Sequence, residues 1–211
     1  REQSADVNDA VAAILADVRA RGDEAVAEYT SKFDRFALPA SGARMSDDDI
    51  NAWAARCEPD VVAALEAAAA RIRAYHERQL PANDRYSDDK GVELGHRWTA
   101  VEAAGLYVPG GLAAYPSSVL MNAIPAHVAG VERLVMVVPT PDGIMNPQVI
   151  AAARIAGFSE IHTIGGAQAV GALAYGTQSI APVAKIVRPG NSLVAADTQH
   201  FSPPVGLDMI A

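Results

Sequence analysis

Apolar residues recur three and four positions apart through the first hundred residues, a spacing that places them on one face of a helix. Two stripes are the clearest: Val7, Val11, Ile14 and Val18; and Val61, Leu65, Ala68, Ile72 and Tyr75. Gly22 stops the first stripe and Pro81 the second. Between them, Asp23 can cap a helix, and Ser46 followed by Asp49 forms a capping box that starts another. The pattern predicts four helices with apolar faces in the core.

From Gly91 onward the pattern changes to short β-branched runs that alternate with helical segments. Residues 92–104 predict one or two strands. Further strands are predicted at 105–109, 133–139, 160–164 and 184–187, and helices at 117–129, 146–156, 167–175 and from 191 onward. Such alternation indicates βαβ units in a parallel sheet.

The predicted fold class is therefore α/β, with a helical N-terminal region followed by a parallel-sheet, nucleotide-fold-like βαβ domain. We expect residues 1–104 to be mainly helical and to form part of a first domain that further sequence completes. Residues 105–211 are expected to form the α/β cofactor-side domain.

Composition and charge exclude several classes of function. Half of the 211 residues are hydrophobic (50%) and 20% are charged, which is enough apolar material for a buried core. The net charge of -8 argues against a nucleic-acid partner, because phosphate backbones need a basic surface. No apolar run approaches the ~20 residues of a membrane span, and the first residues lead into an amphipathic helix and not a signal peptide. The predicted location is the cytoplasm, with no membrane partner.

Few side chains predict catalysis or metal binding. Cys57 is the only cysteine, so internal disulfides are excluded, and we interpret it as a half-buried structural thiol. The histidines lack any close metal-ligand spacing, and surface or packing roles are expected for them: His76, His96, His127, His162 and His200.

Three glycine-bearing turns follow predicted strands, at residues 105–111, 164–168 and 187–191. Ligands of parallel sheets bind beyond the carboxyl ends of the strands. Glycine permits close backbone approach, and a helix N-terminus offers free N–H groups to an anion. Neither the G-x-G-x-x-G fingerprint nor a P-loop is present. Together the three turns predict a cradle for a nucleotide.

Longer blocks of sequence carry a family resemblance. They are GDEAVAEYTSKFD at 22–34, GLYVPGG at 105–111, YPSSVLMNAIPA at 115–126, GGAQAVGALAYGT at 165–177, VAKIV and PGN within 183–191, and VGLDMIA at 205–211. In this order and spacing the chain resembles the histidinol dehydrogenases from about residue 4 onward.

The resemblance implies an NAD-dependent oxidation of L-histidinol to L-histidine through histidinal, at the end of histidine biosynthesis. It also implies a zinc-dependent homodimer with intertwined domains. The family pattern assigns NAD contacts to Tyr107, Gln168 and Asn191, which lie on the three turns already singled out. The family's zinc ligands, substrate-contacting residues and Glu-His base follow the segment that ends here at Ala211. We therefore expect no catalytic or metal-binding residue in this chain, and no activity from it alone.

One local departure bears on the third turn. Arg188 stands where the family has glycine, and residues 197–204, with Pro203 and Pro204, replace a basic helix and a Phe-Gly turn. A compensated frameshift or a local divergence would produce this pattern, and either would alter the surroundings of Asn191.

Two other functions stay open at this point. One is a related NAD-dependent alcohol dehydrogenase on the same scaffold, acting on a different alcohol. The other is a non-catalytic nucleotide-binding or assembly module.

Overall fold

The computed structural model describes residues 3–109, 115–158, 160–187 and 206–207. The helices are α1 (Gln3–Arg21), α2 (Asp23–Asp34), α3 (Asp47–Ala54), α4 (Pro59–Glu77), α5 (Pro116–Val128), α6 (Pro147–Ile155) and α7 (Gly166–Tyr175). The strands are β1 (Asp84–Ser87), β2 (Glu93–His96), β3 (Ala103–Tyr107), β4 (Arg133–Val137), β5 (Glu160–His162), β6 (Lys185–Val187) and β7 (Gly206–Leu207). Helices and strands alternate from β3 to β6, as predicted. The helix predicted from residue 191 lies outside the described residues.

Five strands form one parallel sheet in the order β5-β4-β3-β6-β7. The chain moves outward from β3 through β4 to β5, and then returns to the other side of β3 with β6. The order therefore reverses between β3 and β6, which is the position where ligands bind in open parallel sheets. This sheet confirms the predicted α/β class.

Helices cover both faces of the sheet, and the N-terminal helices supply part of each cover. On one face, α3 and α4 pack with α5 and α6 over apolar side chains such as Leu106 and Met136. On the other, α1 and α2 pack with α7 over Val135, Val137 and Ile186. Both cores combine residues from before and after position 104, and the division into two domains at that position stays a prediction.

The starts of two helices differ in how well the sequence predicts them. The capping box of α3 is confirmed, because Ser46 Oγ accepts a 3.1 Å hydrogen bond from the Asp49 N–H. The prediction that Asp23 caps α2 is wrong, because Gly22 occupies the cap position. Asp23 instead binds the loop after α7: its N–H donates to Gln178 Oε1 (2.8 Å), and its carboxylate accepts from the Ser179 hydroxyl (2.8 Å).

The antiparallel hairpin formed by β1 and β2 is exposed on both faces. Strand β2 confirms the expectation of a strand within 92–104, whereas β1 is a feature that the sequence pattern did not predict. The prediction that Tyr75 lies on the core face of α4 is wrong, because the residue is 62% exposed. Seven large apolar side chains between residues 75 and 101, within the hairpin or near it in sequence, are exposed: Tyr75, Leu80, Tyr86, Val92, Leu94, Trp98 and Val101.

A partly buried ionic network joins the first residues of β4 and β5 to the loop before β6. The Arg133 guanidinium donates to both carboxylate oxygens of Glu160 at 3.0 and 2.9 Å, and also to the carbonyls of Ala181 and Pro182. Glu160 also contacts Nε2 of His162 at 3.2 Å. His162 is fully buried, which confirms a packing role. Burial lowers the pKa of His162, although its hydrogen bond to Glu160 opposes the change.

No helix among the described residues is both long and apolar enough to cross a membrane.

Gly22→Ala should destabilise the protein by roughly 1–3 kcal/mol, because residue 22 has a φ of 61° and an added Cβ would overlap the Gln178 side chain. Gly42→Ala is the matched control, since Gly42 also has a positive φ (87°) but no neighbour within 4 Å of an added Cβ. Urea unfolding of both variants measures the difference. Equal losses would show that the contact with Gln178 adds no constraint.

His162 should make the fold less stable in mild acid. The unfolded histidine takes up a proton as pH falls below about 6.5, whereas burial lowers the pKa of the folded histidine, so the folded state takes up that proton only at lower pH. Stability should therefore fall by up to about 1.4 kcal/mol per pH unit from this group below its unfolded pKa. Urea unfolding at pH 7.5 and 5.5 should show a smaller pH effect in His162→Gln than in the wild type.

Candidate functional site

The carboxyl end of β3 meets the start of α7. Tyr107 is the last residue of β3, and its hydroxyl accepts a 3.1 Å hydrogen bond from the backbone N–H of Gly166, the first residue of α7. This contact joins the turn after β3 to the turn after β5. Two of the predicted glycine turns therefore lie together beside the point where the strand order reverses.

Both glycines of the second turn are required by their surroundings. A Cβ at Gly165 would overlap the ring of Pro139, which follows β4. Gly166 has a φ of 64°, and a Cβ there would lie 2.5 Å from Oε1 of Gln168. The turn is thus packed against the end of β4, and the Gln168 side chain folds back toward the first residue of its own helix.

The amide of Gln168 is buried and unpaired. The residue is 1% exposed, and neither Oε1 nor Nε2 has a hydrogen-bond partner in the described part of the chain. A buried amide without partners costs free energy, so such groups are rare in native proteins. A ligand that both donates and accepts hydrogen bonds at this position would satisfy the amide.

A row of polar groups continues along the same edge of the sheet past β4. Thr140 is buried, and its hydroxyl donates to the Thr163 carbonyl at 3.4 Å. The Asp34 carboxyl group, at the end of α2, lies near Thr140: burial raises its pKa, and the backbone N–H of Thr140 opposes that rise. Sequence reasoning did not single out Asp34 or Thr140, because a contact across so many residues leaves no local periodic signal.

Two of the three predicted contact residues, Tyr107 and Gln168, thus meet through Gly166. Asn191 lies outside the described residues, as do Arg188 and residues 197–204.

Metal-binding clusters are not found in the described ranges, where no three His, Cys, Asp or Glu side chains are grouped to hold an ion. Cys57 is buried in the core that α3 and α4 share with the sheet, which confirms its structural role, and burial raises the pKa of its thiol.

The family model described as histidinol dehydrogenase matches residues 1–211. The chain belongs to the histidinol dehydrogenase family. It is 62% identical over 211 residues to histidinol dehydrogenase of Rhodospirillum rubrum and 60% identical to that of Rhodopseudomonas palustris. Each alignment covers 100% of this chain and 49% of the relative, so the chain spans about half the length of the curated relatives it matches.

A solved structure agrees with this assignment. The crystal structure of histidinol dehydrogenase from Elizabethkingia anophelis superposes with a TM-score of 0.91 at 33% identity, and the match covers 96% of this chain and 47% of that one. The fold is therefore shared with an experimentally determined member of the histidinol dehydrogenase family.

Gln168→Met should stabilise the protein by about 1–3 kcal/mol, because it replaces an unsatisfied buried amide by an apolar side chain of similar length. Urea unfolding without ligand measures the effect. Gln79→Leu, at an exposed position, should stay within about ±0.5 kcal/mol of the wild type. A loss of stability in Gln168→Met would contradict an unpaired amide at residue 168.

Proposed function

We propose that this chain carries the cofactor-side part of a histidinol dehydrogenase and binds NAD at the carboxyl edge of its parallel sheet. The complete enzyme would oxidise L-histidinol to L-histidine through histidinal. The observation that carries the proposal is the meeting of Tyr107 and the unpaired amide of Gln168 at Gly166, in a chain of this family.

The residues at this edge fit a dinucleotide. Gly165 and Gly166 let the turn pack closely against Pro139 and the Gln168 side chain, which holds the Gln168 amide beside the backbone of the turn. The half-buried ring of Tyr107 offers an aromatic face, and the Gln168 amide offers one acceptor and two donors. NAD, when bound, supplies the acceptor for the hydride that leaves the substrate alcohol. The residues of this chain bind and orient it. Asn191 is the proposed third contact.

The substrate assignment rests on the relatives. The curated relatives named above, at 60–62% identity, are histidinol dehydrogenases, which supports L-histidinol over a different alcohol.

Zinc and dimerisation belong to the complete enzyme in this proposal. The described residues do not fit a zinc site, because they contain no cluster of metal-binding side chains, and no chemical step is assigned to the metal here. The homodimer and the cytoplasmic location likewise remain proposals drawn from the family.

Isothermal titration of the purified chain with NAD tests the cofactor site. Tyr107→Ala should weaken NAD binding at least tenfold, because it removes both the ring and the acceptor for the Gly166 N–H. Tyr107→Phe keeps the ring and should give an intermediate loss. Tyr75→Ala, at an exposed position on α4, is the control and should bind as wild type. A folded wild-type chain that takes up no NAD would overturn the proposed cofactor site.

A further inference from the structure

The end of α2 breaks two rules of helix termination at adjacent residues. Asp34, the last residue of α2, places a carboxylate at a helix C-terminus, where the backbone carbonyls already carry partial negative charge. Arg35 then adopts a left-handed conformation (φ 51°) that usually belongs to glycine. Residues that violate local preferences in this way are often held for function.

A second strained residue holds this conformation in place. Asp142, in the turn after β4, also has a positive φ (57°), and it binds the Arg35 guanidinium through two hydrogen bonds of 2.8 and 2.5 Å. Nearby, the Phe36 ring lies so close to Gly143 that an added Cβ there would be 3.1 Å from it. The segment 34–36 is therefore fixed against the turn 140–143.

The contacts between residues 34–36 and 140–143 hold Asp34 at the carboxyl edge of the sheet, where we propose that NAD binds. Asp34 lies near Thr140, because its neighbours Arg35 and Phe36 contact Asp142 and Gly143. The residue before Thr140, Pro139, packs against Gly165 beside the Tyr107–Gly166 contact. Asp34 is half-buried, and its Oδ2 atom is buried with no hydrogen-bond partner among the described residues. One carboxylate oxygen is thus held without a donor on the edge that carries Gln168.

The strand order relates the position of Asp34 to that of the acidic residue in known nucleotide-binding sheets. Strand β3 is the first strand of the parallel sheet, and β4, which lies beside it, is the second. The strand order reverses on the other side of β3, where β6 lies. In nucleotide-binding sheets of this kind, an acidic residue near the end of the second strand binds the ribose hydroxyls. Residues 138–140, which follow β4, are Val-Pro-Thr and contain no acid. Here the acid comes from α2.

We propose that Asp34 binds the adenosine ribose hydroxyls of NAD and discriminates against a ribose that carries a 2′-phosphate. This inference rests on the proposed NAD site. A ribose diol would donate to the unpaired oxygen, whereas a phosphate would bring negative charge beside a half-buried carboxylate. Arg35 cannot offset that repulsion while its guanidinium is bound by Asp142.

The electrostatics of Asp34 agree with this role. Burial raises the pKa of its carboxyl group, and the hydrogen bond from Thr140 only partly opposes the rise. The folded protein without ligand therefore bears a cost that hydrogen bonds from two hydroxyls would reduce.

The test is titration of the wild-type chain with NAD, NADP and NAD carrying 2′-deoxyadenosine. The wild type should prefer NAD to each of the other two at least tenfold. Asp34→Asn keeps an acceptor for Thr140 and removes the charge, so the preference for NAD over NADP should fall at least tenfold. Asp89→Asn removes an exposed carboxylate in the turn between β1 and β2, and it should leave that preference unchanged.

The titrations distinguish a wrong role for Asp34 from a wrong NAD site. A wild type that binds NAD, NADP and the deoxy analogue equally would overturn the role of Asp34, with no variant required. So would an Asp34→Asn variant with unchanged nucleotide preference, or an equal shift in Asp89→Asn. A folded wild type that binds none of the three nucleotides would overturn the proposed NAD site itself.

Discussion

A parallel sheet must be covered on both faces, and this requirement organises the whole chain. Strands β3, β4 and β5 are almost entirely buried, so apolar helices must lie above and below them. The crossover helices supply only part of each layer. Helices α1 and α2 complete one layer with α7, and α3 and α4 complete the other with α5 and α6. The N-terminal helices are therefore part of the sheet's hydrophobic cover.

The same parallel arrangement concentrates polar groups at one edge. All carboxyl ends of the parallel strands point the same way, so the turns after β3, β4 and β5 lie at one edge of the sheet. At this edge the protein departs from what stability alone would favour. Gln168 buries an unpaired amide, and Asp34 places a carboxylate where a helix already carries negative charge. Both features make sense if a ligand supplies the missing hydrogen bonds.

Local periodicity was enough to predict most helices and strands, the capping box at Ser46, and two turns that meet at Gly166. It could not predict the pairing of helices with sheet faces, because that pairing joins residues far apart in sequence. The hairpin was missed in part because β1 is short and polar, with no buried face to create an alternating pattern. Asp23 was misassigned because its side chain binds Ser179, a partner that no local pattern reveals. The position of Asp34 depends on a similarly distant contact.

Because helices from distant parts of the sequence cover the sheet, one apolar helix face has no partner during much of the protein's synthesis. The apolar face of α1 packs against α7, yet Gly166 follows Arg21 by 145 residues. At a ribosomal rate of about 5–20 residues per second, that interval lasts roughly 7–30 s. During it, the stripe of Val11, Leu15 and Val18 has emerged without its final partner. The nascent chain thus offers an apolar surface to chaperones, or to other nascent chains, long before the fold can bury it.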